Sequence, residues 1–247
     1  KATWQLIREV TCSKKVQRDK LPEYFRYQGN ILTSPQEIAN NFNQYFSEVG
    51  PSLAAKIPTS NRKFTDFLGT PNTEEFKFTE MSEFRILNFI KNMKPKSSFG
   101  EDCISNIVLK TIAVTVIQPL KHLINLSLET GYFPDQFKVA KIVPVFKDSD
   151  IHEFSNYRPI SLLNSISRLF ESIVCYQVTG FADACDILYK HQYGFRAKHN
   201  INHPLLHFTD NIFQALNSGR FNISIFLDLK KAFDTVNYEI LLKKIEH

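Results

Sequence analysis

The sequence is poor in the residues that would make several classes of protein. Its 247 residues include one tryptophan, two methionines and four cysteines. Cys12, Cys103, Cys175 and Cys185 stand far apart and form no CxxC pair, which argues against zinc and against a disulfide framework and makes a reducing compartment the default. No apolar run approaches the ~20 residues that a bilayer-spanning helix needs, and no secretory leader is legible. An intracellular protein, nuclear or cytoplasmic, with no membrane partner is therefore expected. There is no internal repeat and no low-complexity segment. The first residue is Lys1 rather than Met, so an excerpt or the product of a truncated gene is expected.

What is present is ordinary for a globular protein. Hydrophobic residues make up 43% and charged residues 22%, enough for a sizeable core. The 22 phenylalanines are spread along the chain. Net charge is +5, and Lys1, Arg8, Lys14, Lys15, Arg18, Lys20 and Arg26 outnumber Glu9, Asp19 and Glu23 at the start. That surplus suits nucleic acid and equally suits a solvated basic surface.

Helices are predicted around residues 4–10, from Ser34 to Gly50-Pro51, over 82–93, over 104–128 as a pair interrupted near Pro119, over 167–181, over 203–216 and from Tyr238 onward. Ser34 with Pro35 and Glu37 reads as a capped helix start, and Gly50-Pro51 as its end. Residues 58–72 read as a linker. Residues 141–147 form a short β-prone segment followed by a polar loop, and ISIFL at 223–227 reads as a strand. Strands scattered among helices argue for the α+β class.

Several residues carry candidate chemistry. Asp228 ends the apolar stretch 223–227, where a carboxylate is costly to desolvate unless paired or bound to a cation. It either caps the following turn or binds a hard cation such as Mg²⁺, which takes one or two carboxylates together with substrate phosphates. Asp234 lies in a turn before Asn237, where a capping role suffices. Lys147 and Arg158 flank a loop and could grip a triphosphate, Arg158 being held extended by Pro159. Ordinary surface cations would look the same. Gly194, between Tyr193 and Phe195, suggests a close backbone approach, and Arg196 could contact a phosphate backbone. His199, His203 and His207 recur every four residues. They read as the exposed side of a helix, without the acidic or cysteine ligands that a metal site would add.

Taken together, AKIVPVFK (140–147), NYRPISLL (156–163), QYGFR (192–196) and FLDLKKAFDTV (226–236) resemble the reverse transcriptases of non-LTR retrotransposons, the Jockey and CR1-like groups above all. Upstream, PQEIANNFNQYFSEVGPSLAAKI (35–57) and PKSSFGEDCISNIVLK (95–110) resemble the segments between that family's endonuclease and its polymerase core. PLKHLINLSLETGYFPDQFKVAKIVPVFK (119–147) continues the likeness. The resemblance implies a partial right-hand polymerase fold: a helical extension at 1–75, a helical segment at 76–137, then fingers and the first part of the palm at 138–247.

It further implies an RNA template, a DNA primer, dNTPs and Mg²⁺. Asp228 would be the first of the palm carboxylates, assisted by the Leu229 backbone carbonyl. Phe233 would crowd the nucleotide 2′ position and so disfavour ribonucleotides. Lys147 and Arg158 would meet the triphosphate, and Gly194, Phe195 and Arg196 would lie near the template. Departures exist: Asn200-Ile201 replaces a common Ser-Thr, and no two adjacent aspartates occur. The family's second carboxylate pair, its thumb and its endonuclease are thus not found in this sequence. The chain alone is expected not to polymerise. The alternatives are a non-catalytic nucleic-acid-binding remnant and an unstable pseudogene product with unpaired strand edges.

Overall fold

A computed structural model describes residues 22–58, 61–229 and 231–247. The helix expected at 4–10 lies outside the described residues. The elements run in the order β1 (Phe25–Tyr27), β2 (Asn30–Leu32), α1 (Pro35–Ala54), α2 (Glu83–Asn92), α3 (Asn106–Thr130), α4 (Asp135–Lys138), β3 (Ala140–Phe146), β4 (Tyr157–Leu163), α5 (Ser165–Ala184), α6 (Asn202–Asn217) and α7 (Tyr238–Glu246), with three short 3-10 turns between them. The two sheets are two-stranded, β1 with β2 and β3 with β4. The mixture is α+β. Contacts group the described residues up to Lys56 with Ile142–Ser161 as one unit, and Ile57–Lys141 with Leu162–His247 as another.

The first unit is held by aromatic rings. Phe25, Phe42, Phe154 and Tyr157 are buried, and Tyr27, Leu32, Ile38, Tyr45 and Phe46 pack around them. Phe42 lies 4.0 Å from Phe154 and meets Phe25 edge-on at 5.1 Å, the second a geometry that the ring quadrupole favours. Ile38, Phe42, Tyr45 and Phe46 recur at helical spacing on α1 and form the face that packs there. Two details of α1 differ from expectation. Ser34 stands at the N-cap with extended backbone, but its hydroxyl caps nothing. The helix also runs through Gly50-Pro51 to Ala54. Pro51 removes one N–H near the exposed end, and the Ala55 N–H still reaches the Pro51 carbonyl at 2.9 Å, so the last turn forms despite the proline.

The second unit has an aliphatic core. Ile86 and Ile90 of α2, Leu109, Ala113, Ile117, Leu120, Ile124 and Leu128 of α3, and Leu169, Phe170 and Ile173 of α5 are buried together with Met81. Ser82 caps α2, accepting from the Arg85 N–H. The expected break at Pro119 is absent: α3 is one helix. Its buried stripe continues in register on both sides of the proline, and burying several Leu and Ile side chains outweighs one lost hydrogen bond. Gly131 closes α3 in the left-handed conformation at φ 69°, where glycine carries no Cβ penalty.

By length and composition α3 could cross a membrane, which corrects the expectation that no stretch could. A search for unbroken apolar runs passes over it because Thr, Gln, Asn and Ser are interspersed. Its apolar face is occupied by the core just described.

Asn125 of α3 and Gln177 of α5 hold the extended segment before α2. The Met81 N–H donates to Asn125 Oδ1 at 2.8 Å, and Asn125 Nδ2 donates back to the Met81 carbonyl at 3.1 Å. Gln177 does the same for Thr79, at 2.7 and 3.0 Å. Each amide thus satisfies a backbone pair as a neighbouring strand would.

Candidate functional site

Lys147 and Arg158 belong to the first unit. The Lys147 N–H donates to the Asn156 carbonyl at 2.8 Å, so Arg158 stands two residues along the partner strand of the same sheet. Both side chains are exposed. Lys147 makes only a long pair with Asp148, at 3.6 Å, and Arg158 forms no salt bridge among the described residues. Two cations on one small sheet, close in backbone register and free to turn outward, can bind phosphate oxygens.

The loop between them is tied down. Asp150 Oδ1 accepts from the His152 N–H at 2.9 Å, and its carboxylate also pairs with Arg26. Arg26 Nε reaches Glu153 at 3.1 Å. Asn156 Nδ2 donates to the Asp150 carbonyl at 2.8 Å, Tyr157 donates to the Ile151 carbonyl at 2.7 Å, and His152 stacks on Tyr24 at 4.0 Å. The backbone bond from His152, and then the Arg26 charge, hold the Asp150 carboxyl below the ordinary carboxylate range.

A carboxyl depressed in the folded state stabilises folding above its unfolded pKa, and that stabilisation is lost as pH falls through the folded value. Thermal melts of the wild type and of Asp150→Asn are therefore expected to differ near neutrality. The gap closes on acidification below about pH 4.

The remaining candidates belong to the second unit. The strand expected at 223–227 is not formed: residues 220–229 have no regular structure, and every side chain there is exposed. A strand needs a neighbour for its N–H and C=O groups, and neither two-stranded sheet extends to this segment. Asp228 therefore does not end a buried strand. Its carboxylate makes no hydrogen bond or salt bridge with the described residues, so the capping role is also not taken up. The cap of α7 comes from Asn237, whose Oδ1 accepts from the Ile240 N–H at 3.0 Å.

Among the described residues no three His, Cys, Asp or Glu side chains gather around a cation position. One free carboxylate, with the exposed Leu229 carbonyl beside it, fits part of a hard-cation donor set.

Phe195 and Phe233, from two separate blocks, are brought together edge-to-face at 5.9 Å. Both are largely exposed, at 94% and 77%. Phe195 has φ 61°, uncommon for an aromatic residue. Gly194 shows no close approach, because a Cβ there would meet only Gln192 Nε2, at an ordinary 3.7 Å. The tight position is Gly100, where an added Cβ would lie 2.7 Å from Asn164 N and 2.9 Å from the Leu163 carbonyl carbon. Arg196, suggested for phosphate, instead pairs with Asp183 at 3.2 Å.

The histidines also differ from expectation. His203 and His207 lie on α6, but His199 precedes it. They surround Tyr193 together with His191, which the four-residue spacing did not include. His191 stacks on His207 at 4.6 Å, and the Tyr193 hydroxyl lies 3.4 Å from Nδ1 of each. No sequence spacing announces a contact between a loop histidine and a helix histidine.

Residues 146–247 match the family described as reverse transcriptase (RNA-dependent DNA polymerase). Over 219 residues, 88% of its length, the chain is 29% identical to the probable RNA-directed DNA polymerase from transposon BS of Drosophila melanogaster. It is 26% identical over 214 residues, 86% of its length, to the RNA-directed DNA polymerase from mobile element jockey of the same organism. Over 148 residues, 60% of its length, it is 35% identical to the probable RNA-directed DNA polymerase from transposon X-element. These stretches cover 24%, 23% and 16% of the relatives, so the chain spans a quarter of their length or less. The match contains the blocks around Lys147, Arg158, Gly194-Phe195-Arg196, Asp228 and Phe233, and across these stretches the chain is similar to the reverse transcriptases of non-LTR retrotransposons.

Proposed function

We propose that this chain contributes the fingers and the start of the palm to an intracellular RNA-directed DNA polymerase that extends a DNA primer on an RNA template. The observation that carries this reading is that the matched residues 146–247 contain every candidate site residue. In this reading residues 1–75 are a helical extension, 76–137 a helical segment before the polymerase core, and 138–247 the first part of a right-hand fold.

Asp228 and the Leu229 carbonyl would hold Mg²⁺, which when bound clamps the attacking and leaving oxygens of nucleotidyl transfer. Lys147 and Arg158 bind the triphosphate of the incoming dNTP, Arg158 through its fork and Lys147 as a point charge. Phe233, braced by Phe195 at 5.9 Å, excludes a 2′-hydroxyl by bulk. Gly194, Phe195 and Arg196 lie near the template. For Arg196 that role requires exchanging Asp183 for a phosphate.

A single carboxylate does not fix two metal ions, so the 247 residues alone do not polymerise. Primer extension on an RNA template with the purified chain, dNTPs and Mg²⁺ is expected to give no product. Product that survives Asp228→Ala would remove Asp228 from the chemistry, and product abolished by that substitution would show that the site is complete. In a polypeptide carrying the whole polymerase region, Asp228→Ala is expected to reduce extension to background.

A further inference from the structure

The loop from Asp148 to Asn156 stands between the two cations assigned to the triphosphate, and its own charge is of the wrong sign. It carries Asp148, Asp150 and Glu153 and neither lysine nor arginine. A triphosphate approaching Lys147 and Arg158 would meet these carboxylates beside them, and like charges repel even through water. Asp148 leans toward Lys147, at 3.6 Å. The other two are taken up from outside the loop. The Arg26 guanidinium of β1 pairs with Asp150, and its Nε meets Glu153 at 3.1 Å. The planar fork lets one side chain hold both carboxylates, which the point charge of a lysine does less well.

The attachment has further parts. The Arg26 N–H donates to the His152 carbonyl at 2.9 Å. Tyr24 stacks on the His152 ring, and its carbonyl lies 2.9 Å from His152 Nδ1. Phe25, between them in sequence, packs on Phe154 and Tyr157. At the base of the loop the Asn156 carbonyl accepts from the Lys147 N–H, while its side chain donates to the Asp150 carbonyl. The loop is therefore fixed with Asp150 and Glu153 turned to Arg26, a residue far upstream of the matched region 146–247.

We infer that Arg26 is a positioning residue for nucleotide binding, holding the Asp150 and Glu153 carboxylates to itself and offsetting their charge so that Lys147 and Arg158 are left to the triphosphate. The inference rests on the reading of Lys147 and Arg158 as the triphosphate grip. In this role Arg26 touches no substrate and acts through the charge of the loop, so its loss weakens nucleotide binding and spares the chemical step. Every contact involved lies within the first unit, and none uses Asp228.

The test is steady-state primer extension by a polypeptide that carries this chain together with the rest of the polymerase region. Arg26→Gln is expected to raise the KM for dNTP about three- to tenfold at low salt with kcat within about twofold, and the gap narrows as ionic strength rises. Adding Asp150→Asn and Glu153→Gln removes the freed charge and returns KM to within about twofold of the wild type. A purely structural latch predicts the opposite, because the triple variant has fewer loop contacts still. A triple variant no better than Arg26→Gln therefore overturns the inference, as does an unchanged KM in Arg26→Gln or a loss confined to kcat. Lys147→Ala and Arg158→Ala separate the two readings. If they raise KM and Arg26→Gln does not, the inference alone fails; if neither raises it, the triphosphate grip fails and the inference with it. The backbone bond to His152 and the aromatic packing do not use the Arg26 side chain, and thermal melts verify that each variant is folded at the assay temperature.

Discussion

Phe170→Ala is expected to destabilise the second unit by about 3–5 kcal/mol, the range for deleting a fully enclosed aromatic side chain. Phe170 is 1% exposed. It meets Phe133 edge-on at 5.3 Å and lies 6.5 Å from Phe137, inside the cluster formed by α2, α3 and α5. Removing the ring subtracts both its transfer free energy and its packing partners, and three helices pinned by other contacts cannot close the void. Total stabilities of domains are about 5–15 kcal/mol, so the loss is about a fifth of the total or more. Urea unfolding followed by circular dichroism measures it as a fall in midpoint at unchanged slope. Phe170→Leu keeps most of the volume and is expected to cost under about 2 kcal/mol. Equal losses in both variants would mean that the site needs an aromatic edge rather than a filled space.

Gly100→Ala is the second large effect, expected at about 3 kcal/mol for the addition of one methyl group. A Cβ at this buried position would press on the Asn164 side chain and lie 2.7 and 2.9 Å from backbone atoms of Asn164 and Leu163. A flexible side chain could swing away, but the backbone at the start of α5 cannot. That turn is anchored by a buried network: the Asp102 N–H donates to Asn164 Oδ1 at 3.4 Å, Ser165 Oγ donates to the Ile104 carbonyl at 2.8 Å and contacts Asn106 Oδ1 at 2.9 Å, and Asn106 Nδ2 donates to the Lys94 carbonyl at 3.0 Å. Pushing the two chain segments apart strains or breaks these bonds. Calorimetry is expected to show a transition lowered by about 6–12 °C, at 2–4 °C per kcal/mol for a unit of this size. Adding Asn164→Ala to Gly100→Ala removes only the side-chain part of the clash and is expected not to restore stability. Full restoration would place the clash in the Asn164 side chain alone.

Most of the helices were legible because their signals are local. The 3.6-residue stripe of Ile86 and Ile90 and the proline-led start at Ser34-Pro35 each report on neighbouring residues, and helices form at both places. The errors share a cause. Pro51 and Pro119 were read as breaks because a proline's local cost is fixed, whereas what overrides it is burial supplied by residues distant in sequence. The strand at 223–227 was read from its β-prone residues, but a strand's hydrogen bonds come from a partner that the segment itself does not specify. Gly194 and Gly100 show the same limit. Each sits in a loop beside aromatic residues, and only Gly100 is crowded by another part of the chain.

The amino-acid order alone carried the likeness to reverse transcriptases and the α+β class, because ordered short blocks and their spacing survive without knowledge of any long-range contact. Tertiary structure decided what the candidate residues touch. It left Asp228 exposed and, among the described residues, unpaired, committed Arg196 to Asp183, set Phe195 against Phe233 and gathered four histidines around Tyr193. Phe195 and Phe233 come from separate blocks of the chain, and the ring and charge contacts of Tyr193 and Arg196 join a loop to the helices on either side of it. They depend on how each unit buries its apolar side chains, a property of the whole packing that no local pattern encodes.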